Sequence, residues 1–153
     1  MNPQTKLREA GLVLPSITPM VEPLVHCVRD GDLLYLSGKG PKTSDGSFIT
    51  GKVGAGITVE EAYDHARSVG LLLLAACNAE LGSLDRIQRV IKLLGFVNAA
   101  PTFTDHAKVV NGCSDLMVLV FGKEDGRHAR SAIGAGSLPN GITVEVEAIF
   151  RVR

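Results

Sequence analysis

The chain has 153 residues, with 16 Lys and Arg against 16 Asp and Glu and a formal net charge of +0. That length suits one folded domain, and the balanced charge argues against a protein built to neutralise many phosphates of a nucleic acid. A hydrophobic fraction of 45% with 21% charged residues excludes a disordered chain.

Residues 2–10 read as a short helix ending at Gly11, followed by an irregular stretch from Pro15 to Pro23. Within residues 1–10, the start of an N-terminal extension (residues 1–20), charges flank Leu7 and no apolar core develops, so this segment does not read as a secretory signal. Residues 24–28 and 33–37 are two apolar runs joined by Arg29-Asp30-Gly31-Asp32. Asp-Gly between such runs predicts a hairpin, because glycine accepts the positive φ of a primed turn. Residues 38–56 are rich in Gly, Lys, Ser and Thr and read as a long loop with a short strand near Phe48.

Thr58-Val59-Glu60-Glu61 fits a capping box, in which the Thr hydroxyl and the Glu carboxylate satisfy each other's backbone amides. Ala62, Ala66, Val69, Leu73, Ala76 and Cys77 then recur at helical spacing, and Gly82 supplies a left-handed stop. The spacing predicts a helix over 59–81. Its longest nearly apolar run, residues 69–77, is about half of a membrane span. Residues 87–97 read as a strand, 104–121 as a second helix ended by Gly122, and 128–135 and 142–152 as two further strands. The order ββ-α-β-α-ββ predicts an α+β domain over residues 1–153, a sheet covered on one face by two helices.

Several motifs fail on inspection. Gly46 to Val53 resembles a phosphate loop but has Val53 where a magnesium-binding Ser or Thr is required. Gly134-Ala-Gly136 meets Pro139 where a dinucleotide fingerprint needs its third glycine. Cys27, Cys77 and Cys113 are odd in number and unpaired in spacing, so they predict neither a disulfide framework nor a thiolate zinc site. The four histidines show no metal-ligand spacing, and no metal or cofactor is expected. Ser114 with His106 and Asp105 would make a hydrolase triad, but Gly112-Cys-Ser-Asp-Leu lacks the glycine that a nucleophile elbow places after Ser.

The informative stretch is His128-Ala-Arg130-Ser131-Ala132-Ile133, then Leu138-Pro139, then Val144-Glu145-Val146-Glu147-Ala148-Ile149. An arginine inside an alternating strand between small residues suits the grip of an anion, since its planar fork matches a carboxylate. This wording resembles the C-terminal signature of the reactive-intermediate deaminase (RidA, or YjgF-like) family, also labelled endoribonuclease L-PSP. The resemblance spans residues 20–152. It takes in Leu36-Ser37-Gly38 with Pro41, Gly95-Phe96-Val97, Phe103 and Val110-Asn111, and looks closer still to a branch of slightly longer bacterial members.

The resemblance implies a chorismate-mutase-like fold: a mostly antiparallel sheet with two helices on one face, assembled as a homotrimer with ligand clefts between subunits. The unpaired cysteines and the lack of a secretory signal or long apolar run make a cytoplasmic protein the expectation. The balanced charge and short apolar runs argue against a nucleic-acid or membrane partner, while the family likeness implies a small carboxylate ligand and hydrolysis of imines or enamines to keto acids and ammonia without a cofactor. It makes Glu145 the catalytic acid/base or water anchor, and Arg130, Ser131, Ala132, Phe96 and Leu24 the substrate-binding set. Two positions depart from the pattern: Ala132 stands where a cysteine commonly follows Arg-Ser, and the first-strand pocket tyrosine is replaced near Leu24 or Val25. The missing tyrosine admits an alternative, a non-catalytic metabolite-binding or regulatory trimer. Ribonuclease activity fits poorly, with no basic excess and 5% aromatic residues.

Overall fold

The computed structural model describes residues 2–153. Helix α1 (Pro3–Glu9) starts where the Asn2 side chain accepts from the Thr5 amide at 2.8 Å, with proline at its first turn. Strands β1 (Cys27–Asp30) and β2 (Leu33–Lys39) form the expected hairpin, and Gly31 in its two-residue loop has φ of 62°. The first strand begins at Cys27 rather than Leu24. Ahead of it the Ser37 amide still donates to the His26 carbonyl at 3.0 Å, while Val25 is held by the Ser37 hydroxyl, which donates to its carbonyl at 2.6 Å. Within the long loop, Phe48 makes only an isolated bridge with Lys42, while β3 (Lys52–Val53) and β4 (Gly56–Ile57) form a small parallel pair.

Helix α2 (Val59–Leu81) matches its predicted bounds. Both halves of the capping box form: the Glu61 amide donates to Thr58 Oγ1 at 3.1 Å, and the Thr58 amide donates to Glu61 Oε2 at 2.8 Å. Strand β5 (Ile87–Asn98) leads into α3 (His106–Gly126), then β6 (Ala129–Ala135) and β7 (Val144–Val152). The second helix was expected to stop at Gly122. The backbone does leave helical geometry there, at φ 83° and ψ 173°, but one more turn follows to Gly126.

The main sheet has the order β1-β2-β7-β5-β6, antiparallel except for the parallel β5–β6 pair. The fold is therefore the expected α+β arrangement, with a mixed, mostly antiparallel sheet and three helices. Strand alternation decides what each face does. Leu34, Leu93, Val146 and Phe150 point toward the helices and are fully buried with Leu73 and Leu74 of α2 and Val110 and Met117 of α3. Each such burial contributes about 1.5–3 kcal/mol. The opposite face carries Tyr35, Phe96, Ile133, Glu145 and Glu147, of which Tyr35 and Ile133 remain 43% and 47% exposed. Among the described residues no helix is long and apolar enough to cross a membrane.

Candidate functional site

Arg130 sits on β6 opposite Leu93, so its side chain leaves the sheet on the helix-covered face, at the open edge strand. There its Nη1 donates to Asn111 Oδ1 at 2.7 Å and to Ser114 Oγ at 3.1 Å, both on α3. Asn111 and Ser114 are three residues apart and share one helix face. Ser114 Oγ lies 2.9 Å from His128 Nε2, and His128 Nδ1 lies 2.7 Å from the Gly126 carbonyl oxygen.

These contacts orient every proton in the array. A guanidinium can only donate, so Ser114 Oγ accepts from Arg130 and its own hydrogen is directed to His128 Nε2. A carbonyl can only accept, so His128 Nδ1 carries the ring proton and donates it to Gly126. Burial holds the His128 pKa below the usual imidazole range; the Gly126 hydrogen bond partly opposes this and the Arg130 charge adds to it. The depressed pKa favours the neutral ring, whose Nε2 accepts from Ser114.

The local chain path explains the placement. After the break at Gly122 the backbone folds back on the last regular turn of α3, and Gly126 passes so close that a β-carbon there would stand 2.5 Å from the Met117 carbonyl oxygen. Only glycine permits that approach. It delivers His128 to Ser114, and the two-residue spacing to Arg130 puts both side chains on one side of β6. The array borders a shallow open groove of about 220 Å³ lined by Ser114, Val118, Arg127, His128 and Arg130.

No carboxylate of the described residues neutralises Arg130. Among the described residues the two side-chain ion pairs are Lys108–Asp105 at 3.3 Å and Arg151–Asp32 at 3.2 Å. Arg130 is half-buried, held by neutral groups, and keeps Nε and Nη2 outside the hydrogen bonds above.

Glu145 lies elsewhere. It opposes Phe96 on β7, and both half-buried side chains leave the sheet on the face away from the helices. A β-carbon on Gly38 would stand 3.0 Å from its carboxyl. Burial raises the Glu145 pKa, the Glu147 charge raises it further, and the Lys39 charge partly opposes both.

Within one chain the residues expected at the site divide between the two faces of the sheet. Ala132 shares the helix-facing side with Arg130 and packs against the core. Phe96 shares the outer face with Glu145, and Ser131, exposed and paired with Leu94, points to that same outer face. Leu24 is 59% exposed in the loop before β1. A pocket uniting Arg130 and Glu145 within one chain is ruled out by strand alternation, because residues in register with Leu93 and with Phe96 must project oppositely.

Asn111 and His128 were not expected at a site, and Ser114 was weighed with the wrong histidine. His106 instead packs edge-on against Phe103 with ring centroids 5.3 Å apart, and Asp105 pairs with Lys108. The His128-Ala-Arg130 alternation was the available signal for the strand half of the array. Lys52, in the near-miss phosphate loop, is occupied by Asn98 Oδ1 at 2.8 Å and by the Gly136 carbonyl. Among the described residues no group of three or more His, Cys, Asp or Glu is arranged to hold a metal ion.

This fold and sequence place the chain in a family of small α+β proteins. Residues 4–146 match the family model described as "YjgF/chorismate_mutase-like, putative endoribonuclease", and the chain belongs to that family. Protein TCP17 of Trypanosoma cruzi is 44% identical over 146 residues, which cover 95% of this chain and 91% of that protein. The crystal structure of Atu1372 from Agrobacterium tumefaciens superposes with a TM-score of 0.90 at 39% identity, covering 99% of this chain and 94% of the other. A Shewanella oneidensis protein described as a "putative endoribonuclease" superposes with a TM-score of 0.94 at 29% identity, covering 99% of this chain and all of its own.

Proposed function

We propose that this protein binds a small carboxylate metabolite through Arg130 and, as a homotrimer in the cytoplasm, hydrolyses reactive imine or enamine intermediates to keto acids and ammonia. The observation that carries the reading is the half-buried guanidinium, fixed by two neutral side chains, without an acid partner, beside a groove. A carboxylate entering there forms charge-assisted hydrogen bonds with a donor already oriented.

The chemistry asks little beyond positioning. An imine carbon is electrophilic, so a held carboxylate and a directed water supply proximity, and one carboxyl group moves the proton. Water adds to the C=N carbon, nitrogen takes the protons, and the C–N bond breaks to release ammonia and the ketone. Glu145 suits the proton-handling role because its raised pKa keeps part of the carboxyl protonated closer to neutrality. Because Arg130 and Glu145 project from opposite faces of one sheet, the reading requires a boundary between copies to bring them to one ligand. The half-exposed apolar residues Tyr35 and Ile133 on the outer face favour such packing.

Ammonia release from enzymatically generated iminopyruvate tests it. Wild type should accelerate release, and Arg130→Ala should lose about 100-fold or more. An undiminished rate in that variant sinks the reading, as does a monomer by light scattering. A second reading, binding without turnover, is favoured by Leu24 and Val25 standing where the resemblance expects a pocket tyrosine. Calorimetry showing keto-acid binding that needs Arg130, with no ammonia released above the uncatalysed rate, would select it.

A further inference from the structure

We propose that Ser114 and His128 form a nucleophile–base pair that hydrolyses small esters carrying a carboxylate, with Arg130 and Arg127 as the anion-binding side of the same groove. Only the use of Arg130 as an anion clamp rests on the preceding reading; imine hydrolysis does not enter.

The geometry meets the requirements for an activated serine in order. Ser114 Oγ is within hydrogen-bond reach of a histidine nitrogen, at 2.9 Å, and its hydrogen is directed there because Arg130 occupies the oxygen as donor. The histidine is oriented by a third group, the Gly126 carbonyl at 2.7 Å, which fixes the tautomer with a free Nε2. Here a backbone carbonyl stands where many hydrolases use a carboxylate. The Arg130 cation beside Ser114 Oγ also stabilises negative charge developing on that oxygen. Ser114, His128 and both arginines line one open groove, so a substrate reaches the oxygen from solvent.

The two cations set the substrate class. An ester with a carboxylate at its far end offers one anion to the arginines while its carbonyl carbon lies against Ser114. Ser114 Oγ bonds to that carbon as its proton passes to His128 Nε2. The C–O bond to the alcohol then breaks, and the departing oxygen takes the proton back from His128. Water next attacks the acyl carbon, gives a proton to His128, and the C–Oγ bond breaks. Ser114 recovers its hydrogen, and the products are one alcohol and one carboxylic acid.

A fluorophosphonate bearing a fluorophore tests the pair on the full chain. The expected result is an adduct on the peptide containing Ser114, identified by mass spectrometry, formed about 100-fold or more slowly in His128→Gln. No adduct on Ser114 in the wild type overturns the proposal without any variant having to fold, and equal labelling of a folded His128→Gln overturns the role of the base. The p-nitrophenyl half-ester of glutaric acid should be cleaved with kcat/KM about 10-fold above p-nitrophenyl acetate. Equal values, or a preference for the acetate, overturn the substrate class. Ammonia release measured on the same preparation separates the two readings: labelling without ammonia leaves the serine pair standing, and ammonia without labelling removes it.

Discussion

Gly38 on β2 faces Glu145 on β7, and the space between them is filled by the carboxyl group itself: a β-carbon at position 38 would lie 3.0 Å from both Cδ and Oε2 of Glu145. The contact is with the far end of a side chain rather than with backbone. Gly38→Ala should therefore rotate the Glu145 carboxyl and leave the fold intact, with a stability change within about 1 kcal/mol. Under the imine-hydrolase reading kcat should fall while keto-acid affinity, set at Arg130, holds. Calorimetry and ammonia release on one preparation measure both, and a large loss of affinity would contradict the assignment.

Glu145 also gives a pH signature. Its folded-state pKa is raised, chiefly by burial and then by Glu147. The sheet thus favours the protonated carboxyl, and this stabilising contribution is complete below the unfolded value near 4.5 and lost as pH rises through the folded value. Glu145→Gln should melt higher than wild type at pH 7, with the difference closing toward pH 4. Thermal melts across that range check it, and a gap that widens on acidification would be the wrong sign.

His128 runs the other way. Burial depresses its pKa below 6.5, so its contribution is present in full above that value and is lost as pH falls through the folded value. Protonating His128 on acidification from pH 7 should take stability from the wild type, opposite in sign to Glu145, so the wild type should lose more on acidification than His128→Gln. Imidazole titration by NMR should place His128 below an exposed histidine. A value above about 7 would mean that the ring is mostly charged at neutral pH and cannot then accept from Ser114.

The helix α2, the β1–β2 hairpin and the alternation of β7 were legible because each depends on residues close in sequence: the Thr58–Glu61 cap, Gly31, and the Val144, Val146 and Ala148 face. Parallel pairing of β6 with β5 was not, because it joins segments separated by α3 and no local residue encodes it. The same gap explains the site. Arg130 and Glu145 were each legible as chemical candidates, but which face each occupies depends on the register of β6 and β7 against β5. Ser114 met His128 instead of His106 through the extra turn after Gly122, a path that a glycine signals as a break without saying where the chain goes next.

That extra turn makes Gly126 a sharp test of the array. A methyl group there would stand 2.5 Å from the Met117 carbonyl oxygen and 2.7 Å from Val118 Cα, both backbone atoms that cannot swing aside. Gly126→Ala should cost about 1–3 kcal/mol, typical of overpacking. It should also pull His128 from Ser114, so the NMR-measured histidine pKa should move toward an exposed value. Denaturant titration supplies the first measurement; unchanged stability with an unchanged His128 pKa would show that the turn is not held there.

Arg130→Lys separates charge from geometry. Arginine spends Nη1 on Asn111 and Ser114 and still presents further donors in a fixed plane, whereas a lysine ammonium offers one compact centre on a flexible stem. A carboxylate recognised mainly by net charge would bind the two proteins alike. Recognition by an oriented fork should cost the lysine variant about 10-fold or more in keto-acid affinity, corresponding to the loss of one charge-assisted hydrogen bond. Calorimetry at two ionic strengths discriminates, because a merely electrostatic attraction to the groove weakens with salt in both proteins. Equal affinity in wild type and Arg130→Lys at high salt would leave the half-buried guanidinium without the selective role that its neutral partners prepare it for.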